Sequence, residues 1–354
     1  MDIKVIGIDL AKNVFQVCVC LMDNSVMSNK KINRNNLLDK IRQFPEGSLI
    51  AMDACGTAHY WGRQFQALGY QVQLIPAQHV KPFVANQKND ANDALAICEA
   101  AFRPNIHMVP VKTVEQQDIK ALRCVRSRLV QNRTAMVNQI RSLASESGVI
   151  FSVGRLQLQA SLSRILANNE HELSHTLHHL LKFLYEDLCV LNERINQIER
   201  DIKALCQIQP RYNALLSIPG FGPLVTASFM SELGSGHQFK NGRQLSAWCG
   251  LVPSQLSSGG KVRLGSITKN GSSELRVLLI HGARAVGRFA SKRDDRLGRW
   301  FNALALRQGR HKAVVALANK IARIGWRILT SNDNFDVNKA FASDVKYHLK
   351  VYMH

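Results

Sequence analysis

Four aspartates stand at positions where an alternation of strands and helices would bring carboxylates together. Asp9 ends the apolar run VIGID and Asp53 follows the apolar run SLIAM, and both runs predict buried strands. Asp90 and Asp93 open a helical pattern, and their i,i+3 spacing puts them on one helix face. Strand ends and helix starts of an open α/β sheet meet at one edge, where ligands usually bind.

Four ionised carboxylates in one place repel one another unless cations lie between them. Mg²⁺ is the expected cation because it prefers oxygen ligands and keeps waters for a substrate phosphate. Two such ions about 4 Å apart can hold both oxygens of an in-line phosphoryl displacement. Each carboxylate also has a structural alternative: Asp90 and Asp93 suit the first turn of a helix, Asp9 suits a turn, and Asp53 suits a helix cap.

A second candidate site lies in the polar, glycine-rich segment SQLSSGGKVRLG, residues 254–265. Ser257 and Ser258 stand next to two glycines and close to Lys261 and Arg263. A serine hydroxyl attacks a phosphate poorly unless a base or nearby cations help it, and here the cations are at hand. Composition alone favours a phosphate-binding loop over a nucleophile.

The turn SIPGFGP places Gly220 and Gly222 between two apolar helical runs. Its backbone N–H groups are suited to contact a nucleic-acid phosphate. The alternative, weighed equally, is a helix–turn–helix corner that needs glycine for its backbone angles.

The net charge is strongly positive, since the 354-residue chain has 46 Lys and Arg against 26 Asp and Glu, which gives +20. Between positions 261 and 330 there are 16 basic and 3 acidic residues. Such an excess predicts a polyanionic partner, and nucleic acid is the commonest one. The hydrophobic content of 46% supports folded domains and excludes a wholly disordered chain.

The surrounding pattern predicts three segments and a tail. Residues 1–110 alternate strand and helix patterns and predict an α/β domain. Residues 111–209 are predicted to be helical, residues 210–335 form a mainly helical C-terminal domain, and residues 336–354 form a polar tail. The helix predicted at 115–146 is rich in arginine, and we consider its Arg123 and Arg126 as nucleic-acid contacts.

A heptad pattern of apolar residues extends over positions 177–205. A 3.5-residue period keeps one apolar stripe facing a partner helix and predicts a coiled coil. We expect self-association through this stripe; the alternative is packing against a helix of the same chain, such as 115–146. The stripe consists of Leu177, Leu181, Leu184, Leu188, Leu191, Ile195, Ile198, Ile202 and Leu205.

Eight cysteines are present without a C-x-x-C pair, so we expect neither a zinc site nor a disulfide framework. No apolar run reaches the roughly 18 residues of a membrane span, and the N-terminus lacks a signal-peptide pattern. These features predict a cytoplasmic protein.

Nearly the whole chain resembles the DEDD-type insertion-sequence transposases, which act as bridge-RNA-guided recombinases. The resemblance runs from VIGIDLAKNVFQV through MDACGTAHYW, KNDANDALAI and IPGFGP to WCGLVPSQLSSGGKVRLGSITKNG. It implies a RuvC-like, RNase H-fold N-terminal domain, a coiled-coil region and a C-terminal transposase domain. It also implies a bacterial, nucleoid-associated enzyme that assembles as a dimer or tetramer.

The family's roles transfer position by position. Asp9, Asp53, Asp90 and Asp93 match the DEDD carboxylates, which implies Mg²⁺ binding, with two ions per active site. The second position is usually Glu, and Asp53 is one methylene shorter. Ser258 matches the serine that becomes linked to DNA, with Ser257 beside it as an alternative. The resemblance also implies a noncoding guide RNA and two DNA duplexes, donor and target, as partners, and an active site shared between protomers.

Two other functions fit parts of the pattern. A RuvC-like structure-selective endonuclease would use the carboxylates to hydrolyse branched DNA with water and would have no need of the serine loop. A basic packaging protein would need neither the carboxylates nor the serine.

Overall fold

The computed structural model describes residues 2–84, 89–104, 106–168 and 173–342. The chain divides into two compact units. The first consists of residues 1–116 with 233–240, and the second of residues 117–232 with 241–354. The predicted segments 111–209 and 210–335 therefore fall largely in one unit, and the domain boundaries drawn from the sequence stay a prediction.

The first unit is built on a five-stranded mixed sheet with the strand order β3-β2-β1-β4-β5. β1 pairs antiparallel with β2 and parallel with β4, β2 pairs antiparallel with β3, and β4 pairs parallel with β5. The elements are β1 Ile3–Asp9, β2 Val14–Leu21, β3 Val26–Asn33, α1 Leu37–Ile41, β4 Leu49–Asp53, α2 Ala58–Ala67, β5 Gln71–Ile75, α3 Ala77–Val80 and α4 Asp90–Ala100.

Both faces of the central strands are buried, which explains their nearly continuous apolar sequences. On β2, Val17 and Val19 face a core cluster that includes Phe65 of α2. Cys18 and Cys20 face a second cluster, to which α4 contributes residues such as Ile97. The predicted α/β character of this segment is confirmed. β3 escaped prediction because it is a largely exposed edge strand with the polar sequence VMSNKKIN.

Long helices predominate in the second unit, as expected from the sequence. The structure confirms the two predicted long helices as α5 and α7. From α5 onward the elements are α5 Val114–Ser145, α6 Arg155–Asn168, α7 His175–Gln207, α8 Tyr212–Leu216, α9 Pro223–Leu233, α10 Gly242–Trp248, β6 Pro253–Gln255, β7 Leu264–Ile267, α11 Ser273–Arg288, α12 Arg296–Gln308, α13 Arg310–Thr330 and α14 Val337–Ala340.

The heptad stripe of α7 packs within the chain at every second apolar position. Leu181, Leu188, Ile195 and Ile202 are at most 2% exposed. The first two belong to a core cluster with residues of α5 and α6, including Ile140. The in-chain alternative thus accounts for these positions, and association between chains through the stripe stays a prediction. In the described part of the chain, no helix is both long and apolar enough to cross a lipid bilayer.

Candidate active site

Three of the four predicted carboxylates come together at the C-terminal edge of the sheet. Asp9 and Asp53 end the neighbouring parallel strands β1 and β4, whose register pairs Ile8 with Met52 just before them. Asp93 lies in the first turn of α4. Burial raises the pKa of Asp53, the N–H of the next residue opposes this rise, and the negative charge of Asp93 adds to it.

The negative charges of the clustered aspartates also act on the thiol of Cys55. Although part of the residue is exposed, partial burial of the thiol, followed by the charges of Asp53 and Asp9, raises its pKa to about 11. Both carboxylates therefore act on one nearby group. Cys55 has no sequence signal for this position, because the loop that follows β4 brings it close to the carboxylates.

Asp90 is placed differently. Its carboxylate forms an ion pair with Lys31 Nζ of β3 at 3.1 Å, and both side chains are mostly exposed. Asp90 and Asp93 both lie in the first turn of α4, which they were predicted to open, but Lys31 partly neutralises Asp90. A lysine on an edge strand gives no sequence signal for this contact.

A polar chain fixes the first turn of α4 against the sheet. Gln16, opposite Asp9 on β2 and only 6% exposed, donates from Nε2 to Asn29 Oδ1 at 2.6 Å. Asn29 in turn donates from Nδ2 to the Ala91 carbonyl oxygen at 3.0 Å, between Asp90 and Asp93. The one sequence signal for this polar chain is a glutamine within an otherwise apolar strand.

The aspartates fit a hard divalent cation by their chemistry. Asp53 Oδ1 is buried and, among the described residues, has no hydrogen-bond partner, which is costly unless a ligand satisfies it. Carboxylate oxygens are the ligands that Mg²⁺ prefers. Within the described ranges, no three of these carboxylates have oxygens mutually within 4.8 Å.

The serine segment forms a tight β-hairpin between β6 and β7. Ser258 pairs with Lys261, whose N–H donates to the Ser258 carbonyl at 3.1 Å. The two residues between them, Gly259 and Gly260, have φ values of +56° and +75°. Two consecutive residues in the left-handed region define a type I′ turn, which glycine adopts without strain. The segment is therefore an ordered hairpin, where composition had predicted a loop.

The hairpin distinguishes the two serines. Ser257 Oγ accepts hydrogen bonds from the Arg263 N–H at 3.2 Å and from Gln255 Nε2 at 3.0 Å, which closes the hairpin below the turn. Ser258 is exposed beside the turn, and its hydroxyl has no hydrogen-bond partner in the described part of the chain. Ser257 thus has a structural role that Ser258 lacks.

The hairpin register also groups Ser258 with its cations. Ser258 lies opposite Lys261, and Leu256 lies opposite Arg263, with the Leu256 N–H donating to the Arg263 carbonyl at 3.0 Å. Because side chains alternate along a strand, these four residues belong to one face of the hairpin. The face carries a hydroxyl and two exposed cations.

The structure places the two candidate arginines of α5 in contacts with other helices. Arg123 is 3% exposed; it donates to Ser231 Oγ at 2.7 Å and forms an ion pair with Glu274 at 2.6 Å. Arg126 contacts Glu199 through both Nε and Nη2, at 2.7 and 2.6 Å. Both guanidinium groups contact other elements of the second unit. Because Arg123 is buried, we assign it to packing, which corrects its predicted role. The side chain of Arg126 is 24% exposed, and a nucleic-acid contact there stays a prediction.

The two glycines of the SIPGFGP turn also separate. Gly220 has φ +94°, and a Cβ on it would lie 3.0 Å from the Gly282 backbone of α11. Its positive φ favours glycine, as the helix-corner alternative proposed, and the close approach adds a second reason. Gly222 is exposed just before α9 with open space around it, and a phosphate contact there stays a prediction.

Comparison with known proteins assigns both candidate sites to one protein family. A family model described as "Transposase", for the DEDD transposases of the IS110 type, matches residues 6–147, and one described as "Transposase IS116/IS110/IS902 family" matches residues 212–297. A probable family 20 transposase of Pseudomonas aeruginosa is 44% identical over 331 residues, covering 93% of this chain and 98% of that protein. The chain belongs to the IS110/IS116/IS902 transposase family.

Two further relatives support the assignment. The transposase for insertion sequence element IS1111A of Coxiella burnetii is 42% identical over 94% of this chain and 92% of its own length. The transposase for IS1328 of Yersinia enterocolitica is 36% identical over 94% and 99%. The protein is thus a transposase, an enzyme that acts on DNA. The first family match includes all four aspartates, and the second includes the serine hairpin.

Proposed function

We propose that this transposase mobilises an insertion sequence as an RNA-guided DNA recombinase, with Ser258 as the nucleophile that becomes linked to DNA. The observation that carries the proposal is the serine hairpin: an exposed hydroxyl that no described residue hydrogen-bonds, on the same face as Lys261 and Arg263. These cations favour the attack because they lower the cost of the charge that develops on phosphorus.

The aspartates supply the second half of the site. Asp9, Asp53 and Asp93, with Asp90 beside them, would hold Mg²⁺, two ions per site. When bound, these ions polarise a phosphate and stabilise the leaving oxygen. The protein itself holds the carboxylates in place. The ends of two paired strands position Asp9 and Asp53, and the hydrogen bonds from Gln16 through Asn29 to α4 position Asp93. The five-stranded sheet and its strand order are compatible with a RuvC-like, RNase H-type domain.

The positive surface suits a guide RNA together with donor and target DNA. On α11, the exposed residues His281, Arg284 and Arg288 recur at i, i+3 and i+7 and so share one face. Backbone contacts of this kind carry affinity without sequence information, which base pairing with a guide would supply. We expect the active form to be an oligomer that brings the serine and the acidic cluster to one scissile phosphate.

Trapping of the protein–DNA adduct tests the proposal. RNA that copurifies with the transposase is sequenced, resynthesised and added with labelled donor and target DNA, and products are separated under denaturing conditions. The wild type should give a covalent adduct, Ser258→Ala should give none, and Ser257→Ala should retain it with a loosened hairpin. An undiminished adduct in Ser258→Ala would overturn the assignment.

The same experiment distinguishes the hydrolytic alternative. A RuvC-like endonuclease would cut DNA in the Ser258→Ala variant and would never form an adduct. The Asp9→Asn variant should lose strand cleavage but keep RNA binding, because it alters the carboxylate cluster and leaves the basic surface unchanged. Cleavage at the wild-type rate by Asp9→Asn would exclude a catalytic role for the cluster.

A further inference from the structure

Three buried cysteines meet between β2 and α4, on the face of the sheet that α4 covers. Cys18 and Cys20 are two residues apart on β2 and therefore point to the same face. Cys98 lies on α4, two turns after Asp90. Their exposed fractions are 0, 6 and 3%, and all three Sγ atoms lie within 4.8 Å of one another.

The sulfur spacing matches that of thiolates sharing one metal ion. Zinc–sulfur bonds are about 2.3 Å long, and tetrahedral geometry then separates the sulfurs by about 3.8 Å. The Sγ atoms of Cys18 and Cys20 are 3.9 Å apart. Since Cys98 Sγ is within 4.8 Å of both, a shift of about 1 Å at most would complete the triangle.

A cavity gives this cluster access to solvent and room for a fourth ligand. Its volume is about 480 Å³, and Cys20 and Cys98 are part of its wall. The exposed residues Asn24 and Glu99 also line it, so the cavity communicates with solvent. Lys4 lines the same cavity. Three thiolates around a divalent cation carry a net charge of −1, which the ammonium group of Lys4 offsets.

We propose that Cys18, Cys20 and Cys98 bind one Zn²⁺ ion that ties β2 to α4, with the fourth position open to the cavity. Thiolate sulfur selects soft or borderline cations, whereas the carboxylates at the other end of α4 select hard ones, so the two sites discriminate between metals. Each thiol releases its proton to solvent when its sulfur binds the metal.

Cobalt is the probe because thiolate ligation gives Co²⁺ an intense charge-transfer absorption that oxygen ligands do not produce. The full-length protein is reduced, freed of metal with a chelator and titrated with Co²⁺ and then with Zn²⁺. We expect one equivalent of Co²⁺ with the thiolate band, loss of the band as Zn²⁺ displaces it, and a higher Tm with Zn²⁺ than without metal.

Variants locate the site. Cys98→Ser and Cys20→Ser should each abolish the band and lower the affinity for Zn²⁺ by about 100-fold or more, since one of three strong ligands is lost. Cys206→Ser, a buried thiol in the second unit, and Cys55→Ser, the thiol beside the aspartates, should retain both. Circular dichroism of each variant checks its fold, and if Cys98→Ser does not fold, Cys20→Ser and the wild-type titration still decide.

A missing thiolate band in the wild type, a band that persists in Cys20→Ser, or a band lost in Cys55→Ser would each overturn the proposal. In the first case the three thiols would be small apolar core residues. Because Co²⁺ bound by the aspartates gives no such band, failure of this proposal leaves the proposed recombinase function untouched.

Discussion

Gly7 of β1 lies outside the active site, but adding one methyl group there, as in Gly7→Ala, should disturb the site through α4. A Cβ on Gly7 would lie 2.7 Å from the Ala94 carbonyl oxygen and 2.5 Å from Cys98 Sγ, both on α4. The thiol can rotate, but the carbonyl belongs to the helix backbone. We therefore expect Gly7→Ala to push α4 away from the sheet.

The size of the effect follows from these distances. A carbon–oxygen contact needs about 3.3 Å, so the helix must move by about 0.6 Å. Overpacking of this kind costs about 1–3 kcal/mol, and the gain of about 0.4–1 kcal/mol from replacing glycine in the unfolded chain offsets part of it. We expect a net loss of about 1–2 kcal/mol in the stability of the first unit. Strand cleavage should fall about tenfold, because Asp93 moves with the helix.

Hydrogen exchange of the α4 amides is the suitable measurement, since it reports on this helix without assuming that both units unfold together. Gly56→Ala is the matched control, because a Cβ there meets nothing within 4 Å and its backbone is not in the left-handed region. It should stay within about 0.5 kcal/mol of the wild type. Equal α4 protection in Gly7→Ala and Gly56→Ala would refute the reasoning.

Three further variants test the other contacts. Asn29→Ala removes the hydrogen bond to α4 and should cost about 1–2 kcal/mol, visible as faster exchange in the first turn of α4; unchanged exchange there would show that the polar chain does not hold the helix. Gly282→Ala places a Cβ 2.1 Å from the Gly220 carbonyl oxygen. It should lower the urea midpoint by more than an alanine at a glycine with open space around it, and an equal midpoint would show that the turn moves freely. Asp295 caps α12 and pairs with Arg293, whose hydrogen bond keeps the Asp295 pKa below its ordinary value. Asp295→Asn keeps the cap but loses the ion pair, so the free energy of unfolding should fall by about 0.5–1 kcal/mol at pH 7. This difference from wild type should shrink as pH falls from the unfolded-state pKa of Asp295 through its folded-state pKa. A difference that does not depend on pH would contradict this.

Local patterns predicted most of the elements that carry the site. The apolar runs before Asp9 and Asp53 indicated buried strands, and the helical pattern opened by Asp90 and Asp93 indicated α4. In the structure, Asn89 caps this helix by accepting from the Asn92 N–H at 2.9 Å. The helix predicted at 115–146 and the heptad pattern at 177–205 agree with α5 and α7 to within two residues at each end. These features depend on neighbours in the chain, so the sequence alone contains the information.

Contacts between distant segments were less accessible to this reasoning. Arg123 and Arg126 have the composition of a phosphate-binding helix, and only the positions of Glu274 and Glu199 show that both form ion pairs. The same is true of Lys31 beside Asp90, and of the thiol cluster in which Cys98 of α4 meets Cys18 and Cys20 of β2.

The amino-acid sequence by itself determined the alternation of strands and helices, the edge of the sheet at which carboxylates collect, and the cationic, glycine-rich character of the serine segment, because periodicity, caps and turn residues act over a few positions. Only the tertiary structure decided which charged side chains form ion pairs, which of the two serine hydroxyls is hydrogen-bonded, and which aspartates interact electrostatically. The ion pairs and the grouping of the aspartates depend on residues far apart in the chain, and the serine contacts depend on the hairpin register, so no local pattern specifies them.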